Sequence, residues 1–312
     1  MRKYLLLLTA LFALGCQTTN QPGTSASTSS SPNEPQSSSS PGDQISTSLK
    51  TIIDRAGGNS AVTVIHVETG RTSSINGSAK LPLYSVFKLP LAVVVLKDLE
   101  DKRLQIDQQV HVTPSDIVPG APDNTAMWQR PVNRTIAQLI DVSIALSDNT
   151  STDKLLQLAG GPQAVTSRLR AMGFNEILIQ TTIRDFARTL LNHNTGSSDD
   201  LAKLLVRLQK GELLQPAQTE LLLGYMRGAK TGMRRIRGNL PAGTIVGDKT
   251  GSGEINKTTA APNSTNDVGI ITLPDGNHLV IAVLINGSKL PDVEQERVIA
   301  DVARAAYDAL AK

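Results

Sequence analysis

Three short stretches of the chain carry residue types that can move an acyl group: Ser85-Val86-Phe87-Lys88, Ser147-Asp148-Asn149 and Lys249-Thr250-Gly251. Two serines and two lysines, gathered by folding, supply a nucleophile, a base and a proton relay without histidine or metal. Ser85 leads into an apolar stretch, 87–99, that reads as a helix buried on nearly all sides. A hydroxyl at that helix start lies near unpaired backbone NH groups and the positive end of the dipole, which favour developing negative charge. Lys88 follows one turn later on the same face. At the mouth of an apolar helix its ammonium is partly desolvated, so its pKa falls and it can accept the Ser85 proton. Pro90 fits only in the first turn or just beyond, which helps to place the helix start near Ser85. A lone S-x-x-K occurs by chance in many helices, so the specificity comes from the other two stretches.

Ser147-Asp148-Asn149 follows the apolar segment 139–146 and precedes a helical segment at 152–158, which places it on a turn between two helices. Ser147 can relay a proton to a leaving nitrogen, and the Asn149 amide can bond both a substrate carbonyl and a lysine. Asp148 is expected to point inward and brace the turn. Lys249-Thr250-Gly251 lies on a strand whose edge can pair with an extended substrate. There Lys249 supplies charge, Thr250 a hydroxyl and Gly251 room for close approach.

The elements that must hold these groups follow from the patterning. Ile45, Leu49, Ile52 and Ile53 recur at helical spacing, and Gly57-Gly58 ends that helix. A β-branched run at 61–67, the turn signal Glu68-Thr69-Gly70 and a polar run to Gly77 predict a hairpin. Strands are expected at 244–249, 267–273 and 278–285, followed by a closing helix at 292–310. Strands at both ends with helical material between them predict an α+β fold. In it, one antiparallel sheet is built from the N- and C-terminal segments and flanked by helices, a mostly helical insertion spans about 84–238, and the site lies between them.

With 312 residues, 39% of them hydrophobic, the chain can bury a sizeable core. A net charge of +3 and a short basic cluster without interleaved aromatics argue against nucleic-acid binding. A single cysteine excludes an internal disulfide, and no Cys/His cluster is present to hold zinc. No cofactor is expected. His66, His111, His193 and His278 are scattered and fit no HExxH pattern, so each reads as a surface or packing histidine.

Arg2 and Lys3 precede a leucine-rich run, 4–14, too short to cross a bilayer and read as a secretory signal. It ends in Ala13-Leu14-Gly15-Cys16, which resembles a bacterial lipoprotein cleavage box; the alternative is an ordinary signal with an incidental cysteine. Residues 17–44 are rich in Ser, Thr, Pro, Gly, Asn and Gln and read as a disordered tether, leaving 45–312 as the catalytic domain. The expected product is an exported lipoprotein anchored at Cys16 and facing the periplasm or cell exterior, since more than one acyl chain gives stable anchoring.

The three motifs, in this order, resemble those of class A β-lactamases and penicillin-binding proteins. The resemblance covers residues 45–312 and includes Arg235-Ile236-Arg237, Leu240-Pro241-Ala242-Gly243, Gly247-Asp248 before the third motif, and Asn266-Asp267-Val268-Gly269. It implies that Ser85 attacks a lactam carbonyl, Lys88 takes its proton and Ser147 passes one to the ring nitrogen. The NH groups of Ser85 and Ser252 would then form the oxyanion hole. In many members an arginine on the following strand binds the substrate carboxylate, where this chain has Val268; others supply it from the position of Arg235, which with Lys249 is assigned that role. The alternative is an exposed arginine in a basic turn. One departure stands out. The family's deacylating glutamate, four residues before an asparagine, is missing: counting back from Asn192 reaches Arg188, and Asp185 is the single carboxylate in 177–196. Asp185 is the possible substitute base. The implied substrates are β-lactam antibiotics, opened through an acyl-enzyme that deacylates slowly. The alternatives are a D-Ala-D-Ala carboxypeptidase acting on peptidoglycan stems, or a sensor that stays acylated.

Overall fold

The computed structural model describes residues 41–311 apart from 121, 191–192 and 254–262, with 41–44 as backbone. Cys16, the tether as far as residue 40, and Asn192 therefore lie outside the described residues. Helix α1 (Pro41–Asp54) leads to the hairpin β1 (Asn59–His66) and β2 (Thr72–Ile75), then to a short strand β3 (Leu81–Pro82). A 3-10 turn at Tyr84–Phe87 runs directly into α2 (Lys88–Glu100). Beyond it come β4 (Gln109–Val112), β5 (Val132–Thr135), α3 (Ile136–Ala145), α4 (Asn149–Leu158) and α5 (Pro162–Ala171). Helix α6 (Ile183–Thr189), β6 (Thr195–Gly196), α7 (Ser198–Gln209) and α8 (Pro216–Arg227) complete the insertion. The chain then returns through β7 (Val246–Gly253), β8 (Ser264–Thr272) and β9 (His278–Asn286) to α9 (Asp292–Leu310).

The principal sheet has the order β2-β1-β9-β8-β7, antiparallel throughout, so the two ends of the chain meet at the β1–β9 pair. Its central strand shows why. Leu279, Ile281, Val283 and Ile285 of β9 pack with Leu49, Ile53, Val298 and Val302 of α1 and α9. Val280, Ala282 and Leu284, alternating with them, join the other core, against α2, α3 and α7. A strand apolar at every position from 279 to 285 is buried on both faces, because successive side chains point to opposite sides.

The expected α+β architecture is thus observed, with three differences in detail. α1 starts at Pro41 rather than Ile45, since a proline at the first helical position lacks only an NH that would have no partner. β7 runs on through Lys249-Thr250-Gly251 to Gly253, so the third motif sits within a strand at the sheet edge. β8 begins at Ser264, three residues before the expected start, because its polar first half still pairs with β7 and β9.

Candidate active site

Ser85 lies in the 3-10 turn, not in α2 itself, and Pro90 is the third residue of the helix that follows. Tyr84 before it has φ +47°, a left-handed conformation costing a non-glycine residue of order 1–3 kcal/mol. Asn266 of β8 holds this strained entry in place: its Nδ2 donates to the carbonyls of Pro82 (2.9 Å) and Leu83 (3.2 Å). Gly251 closes the other side. A Cβ there would come within 2.4 Å of the Leu83 carbonyl oxygen and 3.2 Å of the Ser85 nitrogen, so β7 can approach the nucleophile this closely only with glycine.

Lys88 is wholly buried. Its Nζ donates to the Ser147 carbonyl (2.5 Å), to Ser147 Oγ (3.2 Å) and to Asn149 Oδ1 (2.8 Å). The Ser85 hydroxyl, one turn away, makes no hydrogen bond among the described residues. Burial pushes the Lys88 amine well below the ordinary lysine range, helped by the nearby Lys249 charge and opposed by Asp148 and Asp153. Ser147 itself stands at φ +57°, a second strained non-glycine backbone at a motif. Asp148 braces it as expected: as N-cap of α4 it accepts from the Ser151 NH (2.6 Å) and, through its other oxygen, from the Trp128 indole (3.1 Å).

From the opposite wall, Lys249 Nζ donates to Ser147 Oγ (3.0 Å) and to the Thr250 carbonyl (2.9 Å). Burial lowers Lys249 to about 7, against the opposing pull of Asp248 and Asp267. Asp267 is itself held well above the usual carboxylate range by burial and by Asp248 beside it. Thr250 Oγ1 shares a hydrogen bond with Thr231 Oγ1 (2.7 Å). Ser252 is exposed on the edge strand, and its hydroxyl accepts from Arg235 Nη2 (2.6 Å).

Arg235 is only 8% exposed, which removes the reading of an arginine in a solvated basic turn. Its Nη1 donates to the carbonyls of Asn266 (2.8 Å) and Gly251 (3.2 Å), and its Nε to Glu296 (3.3 Å). With the Ser252 bond, four of its five N–H groups are engaged and one on Nη2 remains.

The described residues of 177–196 form the far side of the cleft, and here the structure corrects the sequence reading. Asp185 does not face Ser85. Thr182 caps α6, accepting from the Asp185 NH (3.0 Å) and donating to Asp185 Oδ2 (2.9 Å), so the carboxylate is held at the helix start and lines a separate cavity with Asp116 and Lys154. The loop is fixed by residues that the motifs did not point to. Asp153 accepts from the backbone NH groups of Ile183 (2.8 Å) and Arg184 (2.9 Å). Asn194 Oδ1 accepts from those of Gln180 (2.8 Å) and Thr181 (3.1 Å). What they frame is a cleft of about 490 Å³ with Ser85, Asn149 and Ser252 on one side and Ile183, Phe186, Leu190 and His193 on the other. No aspartate or glutamate is among the described residues that line it. The sequence carries a signal for His193, which lies within 177–196, where the family's glutamate is missing.

A model of the β-lactamase enzyme family matches residues 44–310. The chain is 34% identical to the extended-spectrum β-lactamase PER-1 of Pseudomonas aeruginosa, over 75% of this chain and 76% of that protein. It is 30% identical to β-lactamase VEB-1 of the same organism, over 85% and 90%. Among solved structures, a β-lactamase from Chitinophaga pinensis superposes with a TM-score of 0.81 at 31% identity, covering 85% of this chain and 99% of that one. The TLA-3 extended-spectrum β-lactamase gives 0.82 at 28%, over 86% and 99%. A match this long in sequence, on a fold shared almost from end to end, establishes that the chain belongs to the class A β-lactamase family, serine hydrolases that act on β-lactams.

Proposed function

We propose that Ser85 is the nucleophile that opens the lactam ring and that Lys88 is the base that takes its proton. The observation that carries this reading is the Ser147 hydroxyl, within hydrogen-bond reach of both Lys88 Nζ (3.2 Å) and Lys249 Nζ (3.0 Å). A proton accepted by a neutral Lys88 amine can pass through Ser147 to the ring nitrogen as the C–N bond breaks. Lys249, Thr250 and the remaining Arg235 N–H bind the substrate carboxylate, and Asn149 bonds the acyl amide. The NH groups of Ser85 and Ser252 stabilise the oxyanion. Release of the acyl group is the slow half-reaction, because no carboxylate lines the cleft among the described residues, and general-base assistance is worth roughly 10²- to 10⁴-fold.

The same lack of a carboxylate among the described lining residues favours a second reading, a peptidase that transfers from D-Ala-D-Ala stems. The test is to incubate the full-length chain with a chromogenic β-lactam while following turnover and intact mass. Wild type is expected to form an adduct and turn over slowly, and Ser85→Ala to form none. A wild type without an adduct overturns the acylation reading. Faster release of D-alanine from a stem peptide supports the peptidase, and one persistent adduct without turnover supports a sensor. The lipoprotein reading rests on the residues ending at Cys16 and on the tether composition; Cys16→Ser is expected to move the protein from the membrane fraction to the soluble one.

A further inference from the structure

The sequence reads His193 as a surface or packing histidine, and its surroundings describe something else. Its ring stands 4.7 Å from that of Phe186 (52° between planes) and 5.5 Å from that of Tyr84 (60°), while Tyr84 and Phe186 meet edge to face at 6.1 Å. Tyr84 immediately precedes Ser85, so this triangle fixes the imidazole against the turn that carries the nucleophile. Packing, not hydrogen bonding, orients the ring: neither ring nitrogen has a partner among the described residues, and the bond at this residue goes from Gln180 Nε2 to its backbone carbonyl (2.5 Å). Both nitrogens are therefore available to water in the cleft that His193 shares with Ser85 and Asn149.

We propose that His193 is the general base that activates water against the Ser85 acyl-enzyme, in the place where a carboxylate is missing. The inference rests on the acylation reading above. In the step, a water oxygen bonds to the ester carbonyl carbon while one water proton passes to the unprotonated ring nitrogen. The tetrahedral oxyanion collapses, the bond from carbon to Ser85 Oγ breaks, and the imidazolium proton goes to Ser85 Oγ. The products are the free acid and the resting serine, with no further reactant.

The protonation state suits the role. Burial among the two rings lowers the His193 pKa below its ordinary value, so the free base predominates at neutral pH. From the 3-10 turn the titratable group facing it is Tyr84, whose phenol burial pushes up and keeps neutral. From α6 it meets Phe186, and the Asp185 carboxylate of that helix is bonded to Thr182 and lines another cavity. An imidazole base without a carboxylate partner is weaker than one oriented by an acid, which fits release being the slow half-reaction.

The test measures acylation and deacylation separately in the full-length chain, by stopped-flow absorbance and intact mass with a chromogenic β-lactam. His193→Gln and His193→Ala are expected to acylate Ser85 at close to the wild-type rate and to release the product ~10²-fold more slowly. Added imidazole is expected to restore part of the release in His193→Ala. Wild-type deacylation is expected to rise with pH and level off before neutrality, and that limb to vanish in His193→Gln. Thermal unfolding of both variants is expected to show that the fold persists. Unchanged release in both variants, an equal loss of acylation, or a wild-type adduct that never hydrolyses would each overturn the role of His193 while leaving acylation standing. No adduct on wild type would overturn the acylation reading and this inference together.

Discussion

Two walls meet at Ser85, and they are built on opposite principles. On one, Lys88, Ser147, Asn149 and Lys249 come from separate elements and bond to one another in a buried polar cluster whose backbone is strained at Ser147. On the other, residues 177–196 present Ile183, Phe186, Leu190 and His193 to the cleft and are tied down through backbone NH groups by Asp153 and Asn194. Burying two amines opposes folding, and a fold keeps such groups where the lowered pKa values do chemistry. The loop wall buries no amine side chain among the described residues, and its own backbone strain falls on Leu190 at φ +54°, where α6 ends, so its other side chains can change without unfolding the protein. On the proposed mechanism acylation is therefore over-determined, and release would depend on which side chains the loop presents.

That contrast is tested most severely at Lys88. Lys88→Met keeps the volume and removes the amine, so acylation is expected to fall ~10²- to 10⁴-fold, the usual worth of a positioned base. Rapid-mix measurement of adduct formation checks this, and an acylation rate within a few-fold of wild type would show that another group takes the Ser85 proton. Next in size is the pH dependence of acylation. Lys88 must be neutral to act as a base, so the rate falls on the acid side of its lowered pKa. Lys249 must be charged to hold a carboxylate; lowered to about 7, it loses its proton as pH rises, and the rate falls again on the alkaline side. Each limb approaches about tenfold per pH unit. Methyl esterification of the substrate carboxylate is expected to flatten the alkaline limb alone.

The loop wall answers to different changes. Asp153→Ala leaves the Ile183 and Arg184 NH groups without their acceptor, each costing about 1–3 kcal/mol where water cannot replace it. A lower unfolding temperature and altered release are expected, with acylation nearly unchanged. Acylation lost in proportion would show that Asp153 serves Lys88, whose charge it also feels, more than it serves the loop.

What the sequence made legible divides along the same line. Ser85 and Lys88 are three positions apart on one turn, and Ser147 and Lys249 sit in compact motifs, so local spacing was enough to single out the groups that the fold brings together. The apolar run of β9 likewise read as a strand, and the structure buries it on both faces. Asp153 was not readable, because its partners are amide groups 30 residues on, and any residue would supply them. Nor was the Tyr84, Phe186 and His193 triangle, in which the turn before Ser85 meets a helix and loop end about a hundred residues further along the chain. Arg235 shows the intermediate case. Its type and place near the third motif suggested a carboxylate anchor, but its burial depends on Glu296, 61 residues away.

The smallest effect is expected at the position that sequence alone marked for release. Asp185→Asn should leave acylation and deacylation unchanged, because the Asp185 carboxylate is spent on the Thr182 hydroxyl and lies in a cavity away from Ser85. The amide oxygen of asparagine can still accept from Thr182, so the cap survives and stability should change by less than about 1 kcal/mol. Single-turnover release in wild type and Asp185→Asn, compared across pH, makes the comparison direct. A tenfold slower release in the variant would mean that α6 turns its acidic face to the cleft when the acyl group is bound, and the loop wall would then resemble the acylation wall after all. Equal rates would leave the apolar wall as the structure has it, with hydrolysis depending on groups that reach the cleft by packing and not by charge.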